Sequence, residues 1–379
     1  VPNEARVIAL DLSATFGEGI RGALVGADAT VLASRQSMVP TAENDLVNVI
    51  VTMAGRLADQ AAREGPAAAA IALAVPGMVD EVVGAVRRSP NLALRGARVR
   101  ELLEERLRRP IFLVQSGRAG LTGESLLGAG RGATEVLFVT IGTGVGSAIM
   151  SHGRVLTGAH GVAGEIGYIS VDPAGSQRSC GGRGCLETFV AEPWLARRYT
   201  LLSGKPISGR EVIQRAAAGD PAAVSTWTAA IDALASSIST AVVLLDCELV
   251  ILAGKLVAGS DMVAGLRNRL EQKINLVAPP QVRAASLGDA AAVMGAAAVA
   301  FERAGHGRRD RGLEGSEYRA VPPPRIRGSA LRQALSVHTS KCRRGGPGRS
   351  PWRRTVLAWI GDDTRAAAAR NDPGLPRIP

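Results

Sequence analysis

Short apolar runs open the chain at close intervals. RVIALDL (6–12), GIRGALVG (19–26) and TVLASR (30–35) read as neighbouring strands, and the turn at Gly26 to Asp28 predicts a hairpin between the last two. From Glu43 the period changes. Apolar side chains in ENDLVNVIVTMAGRLADQAAREG (43–65) recur at helical spacing, which predicts an amphipathic helix leading into the strand AAIALAVPG. The theme then repeats: VRELLEERLRR (99–109) as a helix, IFLV (111–114) as a strand entering a Gly-rich polar turn and a helix, and EVLFVTIG (135–142) as a buried strand. A long helix from Pro221 to about Leu245, the strand ELVILAG (248–254) and an Ala-rich helix near 289–303 close the series. Strand and helix alternation of this kind predicts an α/β protein of two lobes, placed at 1–120 and 121–304.

After Ala304 the pattern stops. GHGRRDRG, PPPRIRG and KCRRGGPGRSPWRR are rich in Arg, Gly and Pro, a composition that buries too little apolar area to offset chain entropy, so 305–379 reads as a disordered basic tail. Charge follows the same boundary. Of the formal +11, Lys and Arg outnumber Asp and Glu by 16 to 6 in the tail and by only 29 to 28 before it, so any electrostatic case for nucleic acid rests on the tail alone. The run AVVLLDCELVIL (241–252) is cut by Asp246 and Glu248, and neither a membrane-spanning stretch nor a signal peptide is expected. Among four cysteines only Cys180 and Cys185 are close in sequence, which is no disulfide framework and suits a reducing cytoplasm.

Three short segments carry candidate chemistry. DLSAT (11–15) follows a strand, and its backbone N–H groups and the Thr15 hydroxyl are placed to face a phosphate, although a plain turn has the same pattern. GTGVGS (142–147) is a second Gly-rich turn after a strand, where missing side chains permit close approach of a ligand. AGEIGY (163–168) and CGGRGCLE (180–187) set two acids and two thiols within a short stretch. The turn after IFLV raises the question of a base: it offers Gln115, Ser116 and Arg118, and no acid before Glu124.

Taken in order, DLSAT, VPGMVD, SPNLAL, the turn at 115, GTGVG, GAHGVAGEIGY, CGGRGCLE and VILAG resemble the ROK family of sugar kinases and repressors over residues 5–304. The resemblance implies a two-lobed actin-like, ribonuclease-H-like ATPase fold in which sugar and nucleotide meet in the cleft. It also implies a sugar site of Asn91, Gln115, Ser116, Glu165, Tyr168 and Glu187, and a nucleotide site of Asp11, Thr15, Gly142, Thr143, Gly144 and Gly254. Kinases of this family carry Asn-Asp after the strand, the Asp acting as base on the sugar hydroxyl. Counting back from Glu124 puts Gln115 and Ser116 there, and loss of a positioned base typically costs about a hundredfold to ten-thousandfold in rate. Ser13 and Ala14 stand where the family's phosphate loop has two glycines, and Ala253 replaces one of the glycines on the adenosine side.

The family's structural zinc is held by one His and three Cys. The matching positions here are Tyr168, Arg178, Cys180 and Cys185, which leaves two of the four donors a tetrahedral site needs. Three readings follow. The favoured one is a non-catalytic sugar-sensing protein of the regulator branch, binding a sugar or amino sugar, with no cofactor, and reaching DNA only through an N-terminal segment outside this sequence. The second is an ATP- and Mg-dependent hexose kinase resembling glucokinases, and the third a decayed paralogue without function. Family resemblance further implies a homo-oligomer.

Overall fold

The computed structural model describes residues 4–13, 19–89, 92–94, 98–178 and 180–306. The tail expected from 305 onward lies almost wholly outside them. Two five-stranded sheets are built on one plan. The first contains β1 (Arg6–Asp11), β2 (Ile20–Gly26), β3 (Val31–Ser37), β4 (Ile71–Val75) and β7 (Ile111–Gln115) in the order β3-β2-β1-β4-β7. The second contains β8 (Val136–Ile141), β9 (Val145–Ser151), β10 (Arg154–Val155), β11 (Leu249–Ala253) and β12 (Gln281–Ala284) in the order β10-β9-β8-β11-β12. In each, an antiparallel meander leads to two parallel strands, so β1 pairs antiparallel with β2 and parallel with β4, as β8 does with β9 and β11. A small hairpin of β5 (Met78–Asp80) and β6 (Ala85–Arg88) lies beside β7.

The helices are α1 (Glu43–Glu64), α2 (Val99–Leu107), α3 (Ser116–Leu127), α4 (Glu187–Val190), α5 (Glu192–Ser203), α6 (Gly209–Ala217), α7 (Pro221–Leu245), α8 (Met262–Lys273) and α9 (Ala291–His306). Strand alternation sorts them between faces. In β4, Ile71, Leu73 and Val75 join Ile8 and Leu10 of β1 against Leu46, Ile50 and Leu57 of α1, while Ala72 and Ala74 face the other way with Val7 and Ala9. That small-residue face lets α9 come close, and Val293, Met294, Ala297 and Ala300 pack there. Here the structure corrects the predicted lobes: α9, assigned by order to the second lobe, covers the first sheet, and the boundary at residue 120 falls inside α3. The cause is packing. α3 and α9 cross at glycines, with Gly295 on the Ala119 carbonyl and Gly123 on the Ala291 carbonyl, and Leu121 of α3 reaches Phe138 and Ile251 of the second sheet. The two helices therefore form the layer that joins the lobes.

The second core is filled by Leu137, Val139 and Ile141 with Trp227, Ile231, Leu234 and Ile238 of α7 and Leu266 and Leu270 of α8. Against expectation, α7 is long and apolar enough by length and composition to cross a membrane, because Asp232 is its single charge; 50% of its apolar window is buried in this core. Glu124 ties the layers together. It is 0% exposed and accepts backbone N–H groups from Ala129 at 2.7 Å, Ser286 at 3.1 Å and Leu287 at 2.7 Å, holding the approach to α9.

Candidate functional site

At the end of β1, Asp11 is 4% exposed and accepts the Ser13 backbone N–H at 2.9 Å and the Ser13 hydroxyl at 2.8 Å. Burial pushes its pKa up, with the Ser13 bonds and the nearby Arg21 opposing. Arg21 of β2 pairs with Asp289, just before α9, at 2.9 Å. An amide that a glycine loop would turn toward phosphate is thus engaged with the strand's own acid. Thr15 and Asn91 lie outside the described residues.

No turn separates β7 from α3. Gln115 is the N-cap in extended backbone, its Oε1 accepting the Arg118 N–H at 2.8 Å, and Ser116 is the first helical residue. The amide of Gln115 does a second job, donating from Nε2 to Glu165 Oε1 at 3.3 Å. The Ser116 hydroxyl is buried without a hydrogen-bond partner among the described residues. Glu81, beyond β5, brings a carboxylate to this helix start: its Oε1 accepts the Gln115 N–H at 2.9 Å and Arg118 Nε at 2.9 Å. Its other oxygen meets Arg303 of α9 at 3.3 Å. Arg118 also donates from Nη1 to the Gly161 carbonyl at 3.0 Å. Two guanidiniums thus occupy both oxygens of this carboxylate.

Glu165 sits on a loop laid flat against β9. Gly164 has φ +89°, and a side chain there would press on Ala148 Cα at 3.2 Å, so only glycine lets the loop lie this close. Ser147, from the Gly-rich turn and strand, donates its hydroxyl to the Gly164 carbonyl and accepts the Ile166 N–H at 3.1 Å, which fixes the residues on either side of Glu165. Burial, aided by the Glu187 charge and opposed by Arg118 and Arg178, pushes the Glu165 pKa up to about 7.

The following hairpin is pinned by the isolated bridges Ser170 to Cys185 and Gln177 to Arg183. Its turn carries Arg178, whose Nη2 lies 2.7 Å from Glu187 Oε1 with both side chains largely buried, and whose Cζ stands 4.1 Å from the centroid of the Tyr168 ring. Burial works against this charge, but Glu187, Tyr168 and the two thiols outweigh it and hold the guanidinium above its ordinary value. Cys180 and Cys185 are free thiols whose sulfurs both lie beside Gly182. A structural zinc does not fit: no cluster of three or more His, Cys, Asp or Glu among the described residues could hold a metal, and the other two candidate positions are occupied by the Arg178 and Tyr168 pair.

On the opposite side, Gly142 donates its N–H to the Gly144 carbonyl at 3.0 Å and accepts the Glu192 N–H at 2.8 Å, with Thr143 exposed at the tip. Glu187 Oε2 accepts the Val145 N–H at 3.1 Å, and a Cβ at Gly144 would meet the same oxygen at 3.1 Å, so the Gly-rich turn and Glu187 touch. Gly254 has φ +108° and lies on the Ile141 carbonyl, which gives it a backbone reason independent of any ligand. Gln115 thus touches Glu165, and Glu187 links the Gly-rich turn at Val145 to Arg178, which stands over the Tyr168 ring. Glu81, Arg178 and Arg303 were not predicted as site residues; they come from separate segments and have no local signal.

The family profile of ROK matches residues 8–303. The chain belongs to the ROK family. Among ROK relatives, the glucokinase of Thermotoga maritima is 30% identical over 322 residues, 79% of this chain and 98% of its own length. The DNA-binding transcriptional dual regulator NagC of Escherichia coli is 32% identical over 158 residues, 42% of this chain and 38% of its own length. The ROK hexokinase of Thermus thermophilus superposes with a TM-score of 0.69 at 28% identity, covering 79% of this chain and 99% of that one. The actin-like two-lobed fold implied by the motifs is thus the fold of the chain.

Proposed function

We propose that this ROK chain binds a hexose or amino sugar in the cleft without phosphorylating it, as the sensing part of a regulator. The observation that carries the reading is the start of α3. Ser116 stands where a kinase of this family needs a carboxylate, and Glu81, which does reach this helix start, is held by Arg118 and Arg303. The reading is supported by Glu165, Glu187, Gln115 and Tyr168, which offer carboxylate acceptors, an amide donor and a phenol of the kinds that suit a polyol. On this reading the sites at Asp11 and Gly142 to Gly144 serve as structural turns, no nucleotide is required, and the protein works in the cytoplasm as a homo-oligomer that reaches DNA through an attached segment.

A second reading, an ATP-dependent sugar kinase, is favoured by the similarity to the Thermotoga glucokinase over 98% of that protein's length and by Glu165, whose carboxyl, raised to about 7, lies beside Gln115. A nucleotide would then supply the phosphoryl group, and the Gly142 to Gly144 turn and Gly254 would lie on its side of the cleft. Calorimetry against a panel of hexoses and amino sugars, with and without Mg-ATP, separates the two. Sugar binding without turnover is the expected result, and Ser116→Asp separates a lost base from a lost nucleotide site: phosphorylation stays at background where the turns bind no nucleotide. Turnover by the unaltered chain would refute the sensor reading.

A further inference from the structure

We infer that Arg178 has replaced a metal ion as the cation that organises the 170–187 loop, so that this chain positions Glu187 without zinc. The inference does not depend on which reading of the site's function is right. Where a zinc site of this shape would have its His and first Cys, the chain has an aromatic ring and a guanidinium, and the two are chemically matched. A tyrosine offers no nitrogen lone pair to a metal but does offer a π face, and the arginine that would displace a metal lies over that face at 4.1 Å. The same guanidinium contacts Glu187 Oε1 at 2.7 Å with its side chain 11% exposed. Ring, turn and carboxylate are thus joined by one fixed positive charge. Arginine suits this role because its planar fork stays charged when buried and reaches two partners at once.

The remaining thiols are accounted for without a metal. Cys180 and Cys185 are free thiols gathered beside Gly182, and the hairpin around them is closed by backbone: Arg178 donates its N–H to the Gly182 carbonyl at 2.8 Å, Gly181 to the Arg178 carbonyl at 2.9 Å and Gly184 to the Ser176 carbonyl at 2.9 Å. A divalent ion placed near these sulfurs would meet a like charge on Arg178 and only two donors. Glu187 in turn holds the Val145 N–H through its second oxygen, so Arg178 acts on the Gly-rich turn through Glu187 and is a positioning residue.

The test is made on the full chain expressed in zinc-supplemented medium. Elemental analysis is expected to find far less than one zinc per chain, with melting temperature and cysteine alkylation unchanged by EDTA; stoichiometric zinc overturns the inference. Arg178→Ala is expected to speed alkylation at Cys180 and Cys185, mapped by peptide mass spectrometry, with buried Cys247 as the unchanged reference. Equal rates at the pair overturn it. Should that variant fail to fold, Tyr168→His with Arg178→Cys gives the second arm. It restores four donors and is expected to take up one zinc per chain; a folded double variant that stays zinc-free overturns the claim that Arg178 stands where a metal would.

Discussion

Replacing Glu165 by Gln tests the electrostatics of the cleft directly. The carboxyl ionises near 4.5 in an unfolded chain and near 7 in the folded one, chiefly because burial disfavours its charge, with Glu187 adding to the effect and Arg118 and Arg178 opposing it. An acid whose folded pKa is raised supports the fold fully below the unfolded value. Between the two values the unfolded chain has released a proton that the folded chain still holds, so stability falls as pH rises from about 4.5 to about 7 and is flat beyond. At roughly 1.4 kcal/mol per pKa unit the loss is at most about 3 kcal/mol, discounted for the partial solvent access of the side chain. Glu165→Gln removes this titration and keeps an oxygen for the Gln115 amide, which donates at 3.3 Å. Urea unfolding of both proteins across that pH window is the assay. The variant is expected to gain on the wild type as pH rises, by up to about 3 kcal/mol, and then hold the gain. A difference that stays constant from the acidic to the neutral end would refute the account of Glu165.

Arg118→Ala removes the main partner of the largely buried Glu81 and the bond to Gly161, and is expected to cost about 3 kcal/mol in denaturant unfolding, with Arg118→Leu and Glu81→Leu together costing less than the single change. Glu124→Ala leaves three backbone N–H groups without their buried acceptor and is expected to destabilise by about 3 kcal/mol or more, read as a shift in urea midpoint at constant slope. Gly254→Ala forces a side chain into φ +108° against the Ile141 carbonyl, and a cost of about 1–3 kcal/mol is expected as a lower melting temperature with or without sugar. Sugar binding by calorimetry is expected to weaken when Glu187→Gln loosens the Arg178 pair, and unchanged affinity would remove Glu187 from the ligand set.

What the sequence determined by itself was local. The alternation in IALAV, the helical period from Glu43 and the glycines around 144 and 164 specify strand, helix and tight turn, because each depends on neighbours a few residues away. The family motifs extended that reach to the fold, and Gln115, Glu165, Tyr168 and Glu187 were legible as a group only through them. The tertiary structure decided what no local pattern carries. IALAV has a large face and a small face, but only packing shows that α9, more than two hundred residues away, takes the small one and so moves the lobe boundary. The immediate start of α3 at Ser116 follows from the Gln115 side chain capping it, a role usually filled by shorter side chains. Glu81 with Arg118 and Arg303, and Arg178 with Tyr168 and Glu187, are pairs between segments whose separation along the chain has no period. Charges of this kind find each other by burial and geometry, so their partners appear only once the chain is folded.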